Sequence, residues 1–136
     1  YTSERIAFDK PLAAFQAVQH HCANAFLRVE QTRVLARDAL MPRDDVVERA
    51  WASSLAKVKA AEGIIEVMRL AHRVHGGIGF YDDYPLADLT RRAVAIQGMH
   101  GSAAWHRQRL QRLVTNPDNS LKRGVLSSSG SMSQDD

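Results

Sequence analysis

His100 is the side chain in this sequence best suited to moving a proton, and it sits in the run Met99-His100-Gly101-Ser102. An imidazole titrates near about 6.5 when unperturbed, close to the pH at which a general base has to work. Gly101 permits a sharp turn beside it, and Ser102 adds a hydroxyl. A second constellation is Arg73-Val74-His75-Gly76-Gly77-Ile78-Gly79-Phe80. Glycines such as Gly76 and Gly77 can take positive φ, come close to a phosphate and turn backbone amides toward an anion. Arg73 would add a cation with a fork of donors. Taken alone, the glycine run reads more readily as a helix C-cap and turn, and His100 equally as a histidine hydrogen-bonded near a helix start.

The other chemistry-bearing residues point less far. His20 and His21 have no further ligand at metal spacing, so no metal site is expected, and His72, His75 and His106 read as solvated or hydrogen-bonded. Cys22 is the single cysteine, which leaves no disulfide and no CxxC pair and fits a reducing cytoplasm. The net charge of +3 comes from both signs interleaved along helical faces, with no polybasic arm, so nucleic acid is not an expected partner. No apolar run approaches the roughly 20 residues a membrane helix needs.

The elements that must position these groups are helical. Pro11 closes a short first segment, because proline cannot continue a helix and disfavours helical geometry in the residue before it. From about Ala14 to Leu40, Phe15, Val18, Cys22, Phe26, Val29, Ala36 and Leu40 recur near helical spacing and predict a helix ended by Pro42. Asp45 with Glu48 forms a capping-box pattern that opens a second helix running to His75, roughly 46 Å long at 1.5 Å per residue, with Gly76-Gly77 as its stop. Its expected core stripe is Val47, Trp51, Leu55, Val58, Ala61, Ile65 and Met68. Shorter helices fit Pro85 to Ala95 and about His100 to Val114, the latter with Ala103, Arg107, Leu110 and Val114 on one side. Strand-like alternation is absent, so the expected fold is an all-α antiparallel four-helix bundle over 1–115. In it the first two helices pack together and bury Phe26, Trp51, Leu55 and Ile65, while Trp51 and Trp105 serve as packing residues. Residues 116–136 are rich in Ser, Gly and Asp and read as a flexible tail.

Several blocks combine into a resemblance. Arg5, Phe8, Lys10-Pro11 and Gln16 are followed by the glycine run, Tyr84-Pro85, Arg91, Gly101 and Arg107, without insertion from Arg5 to Gly101. This order resembles the carboxyl-terminal domain of the flavin-dependent acyl-CoA dehydrogenases, over about residues 1 to 115. The resemblance implies flavin adenine dinucleotide (FAD) as cofactor, an acyl-CoA thioester as substrate and α,β-dehydrogenation as the reaction. It also implies a homo- or hetero-oligomer in which Arg5 contacts the FAD pyrophosphate of a neighbouring subunit and Phe8 packs near the adenine. Gln16, Arg73, Gly76, Gly77, Gly101 and Ser102 complete the implied cofactor set, and Met99 is a candidate on the substrate side. Because resemblance begins at once on a chain opening with Tyr1, the expectation is a piece of a longer protein.

Several positions depart from the family pattern, among them Arg73, which stands where glutamine is usual. Asp9 stands where glycine is usual, Ala104 where an amide is usual, and His100 where most members carry the catalytic glutamate. His100 therefore marks a subunit that lacks the usual base or takes it from elsewhere, or itself acts as a base, or is structural. Two alternatives follow, a flavin monooxygenase of the same fold using His100 and a non-catalytic helical assembly subunit.

Overall fold

A computed structural model describes residues 1–115 as a set of helices built around one long member; the tail expected over 116–136 lies outside the described residues. The chain opens with a minimal hairpin, β1 (Ile6–Ala7) and β2 (Lys10–Pro11), paired antiparallel with Ile6 opposite Pro11. Its two-residue turn puts both Phe8 (φ 50°) and Asp9 (φ 62°) in the left-handed region, as tight hairpin turns require. Strands of two residues are too short to leave a period-two pattern, which is why the sequence shows none. A short 3-10 turn (Leu12–Ala14) then leads into α1 (Gln16–Ala39).

Helix α2 (Val46–His75) is the axis of the fold. The Asp45 carboxylate caps it by accepting from the Val47 amide at 2.7 Å. Gly76, at φ 62°, ends it and opens a 3-10 turn over Gly76–Phe80. Pro85 occupies the first turn of α3 (Pro85–Gly98), and Ser102 caps α4 (Ala103–Thr115) by accepting from the Trp105 amide at 3.2 Å. The expected helices are therefore present with ends shifted by a few residues.

The faces differ from expectation. Phe26 is 63% exposed and Trp51 39%, while Leu55 and Ile65 are half-buried. In α1 the half-buried residues include Val18, His21, Ala25, Thr32, Leu35 and Ala39, whereas Cys22, Val29, Ala36 and Leu40 are exposed. Close approach explains this rotation. A Cβ on Gly63 would lie 3.3 Å from Thr32 Oγ1 and 3.8 Å from the Arg28 carbonyl oxygen, so α1 and α2 approach closely at this level, where a larger side chain would hold them apart. On α2 the buried residues are Ala50, Ala52, Ser54, Val58, Ala61, Gly63 and Leu70, spread around the helix because neighbours flank it on more than one side. On α4 the buried residues are His106 and Leu113, with Trp105 and Val114 exposed.

Helices α3 and α4 divide the length of α2 between them. The start of α3 packs by α2's C-terminal end, where Thr90 meets His72 and Met68. Its last turn reaches mid-α2, where Lys57 Nζ donates to the Ile96 carbonyl at 3.0 Å. Helix α4 continues from there toward α2's beginning, through the Arg107–Glu62 ion pair and Arg109 donating to Ser54 Oγ at 3.4 Å.

Candidate functional site

Two clusters carry the site residues, and they occupy different levels of α2. The first is at its C-terminal end. Tyr1 stacks on His75 at 4.4 Å between centroids and donates its hydroxyl to the His75 carbonyl at 3.3 Å, which ties the hairpin segment to the glycine turn. Arg5 and Phe8 stand on that segment, both exposed, and Phe8 lies edge-on to Phe15 just before Gln16. Arg73 is exposed on the last turn of α2, and neither Arg5 nor Arg73 forms an ion pair among the described residues. Added Cβ atoms on Gly76 or Gly77 would meet nothing within 4 Å, so the backbone there is open to a ligand or partner. Gly79 differs, since a Cβ would lie 3.0 Å from Leu86 Cδ2 and 3.1 Å from His72 Nδ1. Its missing side chain serves packing within the chain. Unpaired guanidiniums, an exposed aromatic ring and accessible backbone form a donor set that fits a phosphate-bearing, ring-containing ligand. The Asp9 carboxylate at the hairpin tip is the one opposing charge within that turn.

The second cluster is the α3–α4 joint. Met99 and His100 are exposed, and His100 takes φ 57° with Gly101 following at 100°. Positive φ at a non-glycine residue is uncommon and has to be held by its surroundings. Here the His100 carbonyl accepts from His106 Nε2 at 3.0 Å, and a Cβ on Gly101 would lie 3.1 Å from Trp105 and 3.2 Å from His106 Nε2. Ser102 uses its hydroxyl oxygen to cap α4, a structural task for a residue read as a cofactor contact.

One copy does not bring the two clusters together. The joint lies beside α2 residues 57–62, whereas the glycine turn follows His75, a separation of about 20–30 Å along the helix at 1.5 Å per residue. An open cleft of about 370 Å³ lies near the joint, lined by Arg28, Thr32, Gly63 and Gln97 among others. No described helix is long and apolar enough to cross a membrane, and no group of three metal-ligating side chains occurs among the described residues.

For two histidines the sequence did not indicate the burial. His106 is buried, and His72 is half-buried with Nε2 2.8 Å from Thr90 Oγ1; both keep a buried Nδ1 without a partner among the described residues. The reading of His72, His75 and His106 as solvated or hydrogen-bonded holds through their hydrogen bonds; the burial of His106 was not part of it. Once Ser102 is taken as the cap of α4, His106 falls in its first turns on the inner side, the only signal available beforehand.

Residues 1–115 match the family described as acyl-CoA dehydrogenase, C-terminal domain. The chain is 32% identical over 114 residues to acryloyl-CoA reductase (NADH) of Anaerotignum propionicum, covering 84% of this chain and 29% of that protein. It is 34% identical over 98 residues to 3-(aryl)acrylate reductase of Clostridium sporogenes, covering 71% and 26%. A solved structure of a steroid ACAD variant aligns with a TM-score of 0.75 at 33% identity, over 88% of this chain and 33% of that one. The chain thus spans between a quarter and a third of the length of these relatives.

Proposed function

The chain belongs to the acyl-CoA dehydrogenase family, as its carboxyl-terminal domain, and from that premise we propose that it forms part of an FAD-dependent enzyme acting on the α,β-bond of a CoA thioester, with His100 at the place of the proton-abstracting group. The observation that carries this reading is the His100 turn. An exposed imidazole is set on a backbone held in the left-handed region, at a joint between two helices anchored to the same long helix. A base needs that kind of fixed placement, because it must stand within hydrogen-bond reach of the proton it removes.

The roles divide between the clusters. Arg5 and Arg73 supply charge and forked donors for a pyrophosphate, Gly76 and Gly77 leave backbone accessible to it, and Phe8 and Gln16 flank the adenosine side. Met99 would stand on the acyl side beside His100, and Gly101 and Ser102 would contribute to holding the flavin. When bound, FAD would supply the hydride acceptor for the β-carbon. An imidazole nitrogen of His100 takes the α-proton, and the carbon–carbon double bond forms between the two positions. The separation of about 20–30 Å between clusters supports a site shared by two copies or by related subunits, each giving one cluster. A cytoplasmic location fits these roles.

A second reading, a non-catalytic assembly subunit, is favoured by the exposed carboxylate of Asp9 on the same hairpin segment as Arg5. Flavin titration of the intact protein separates the two. Saturable quenching of FAD fluorescence is expected, and Arg5→Ala and Arg73→Ala should each weaken it about tenfold or more, the scale of losing a charge-assisted hydrogen bond. Absence of flavin binding in the intact protein would reject the enzyme reading.

A further inference from the structure

We infer that His106 is a positioning residue for His100, a latch whose Nε2–H holds the left-handed turn through the His100 carbonyl. Two observations carry this. His106 is only 6% exposed, and its Nε2 lies 3.0 Å from the His100 carbonyl oxygen. A carbonyl can only accept, so Nε2 is the donor and the ring proton is assigned to it. The other nitrogen, Nδ1, is buried without a partner among the described residues. A ring placed for its own hydrogen bonding would satisfy both nitrogens, whereas this one gives its single donor to the backbone of the strained residue. The fit is tight from both sides. Nε2 would stand 3.2 Å from a Cβ on Gly101, and Trp105 stacks edge-on to the His106 ring at 4.7 Å. Burial and the aromatic contact leave the imidazole little freedom, so the turn inherits its rigidity from α4. Without that donor, the positive φ of His100 has one support fewer, and the exposed imidazole is free to move with its backbone.

The inference rests on the reading of His100 given above, and its test has a part that does not. Long-range proton–nitrogen spectra of the intact native protein should show His106 as the Nε2–H tautomer; an Nδ1–H tautomer would overturn the assignment. Substitution then asks which atom matters. Glutamine can place an amide near the Nε2 position and asparagine near Nδ1. His106→Gln should keep the Gly101 amide resonance near its native position, while His106→Asn and His106→Leu shift or broaden it. Flavin bleaching by acyl-CoA should fall about tenfold to a hundredfold in the Asn and Leu variants and recover in the Gln variant, as expected of small misplacements of a catalytic group. A Gly101 resonance unmoved in His106→Leu would sink the latch. If none of the proteins bleaches, the reading of His100 as base fails, and the tautomer and resonance results still decide whether the turn is held by His106.

Discussion

Single residues show how one type can serve unrelated ends. Gly77 stands in open space, whereas Gly79 is packed against Leu86, His72 and His75. Gly79→Ala should therefore lower stability by about 1–3 kcal/mol, the usual cost of overpacking, seen as a drop in thermal midpoint. Gly77→Ala should leave stability within about 1 kcal/mol of native and weaken FAD binding instead, because its methyl would occupy the approach to the backbone. Equal effects of both changes on stability would contradict the division. The sequence made the glycine run visible as a site but could not sort its members, since only the position of α3 decides which glycine is covered. His100 was legible as a departure from the family pattern; the strained backbone beneath it and the buried His106 were not, because both depend on how α4 meets the joint.

Among the elements, boundaries were more legible than faces. Pro11, Pro42, Asp45, Gly76 and Pro85 act locally, through fixed φ, capping or left-handed geometry, and the helices start and stop near them. Faces depend on neighbours. Helix α1 leaves Phe26, Leu27 and Val34 exposed while Ala25, Thr32 and Ala39 are half-buried, so a rule that sends the largest residues to the core misplaces Phe26. This yields a contrast measurable by denaturant unfolding. Phe26→Ser should change stability by no more than about 0.5 kcal/mol in a monomeric form, while Val58→Ala should cost about 1–3 kcal/mol. Asp45→Ala should cost about 1 kcal/mol through loss of the α2 cap. A Phe26 variant as damaging as the Val58 variant would restore the original register.

At the scale of the molecule, α3 and α4 lie end to end along α2, and this arrangement separates the two clusters. Helices of 14 and 13 residues together match the length of the 30-residue α2, an end-to-end division that the sequence did not indicate. Phe26, Leu27, Val34 and Met41 expose apolar surface on or just beyond α1, and a site shared between subunits needs a partner to complete it. The intact protein is therefore expected to run as an oligomer in light scattering at micromolar concentration, and a monomer would remove the shared-site account.

The central claim is that His100 stands where the α-proton is taken, and flavin bleaching on addition of acyl-CoA tests it most directly. The intact native protein should bleach, His100→Ala should slow bleaching by about 10² to 10⁴, the usual contribution of a general base, and His100→Glu should recover much of the rate. Bleaching at one common rate in all three proteins would contradict the claim and place the base on another residue.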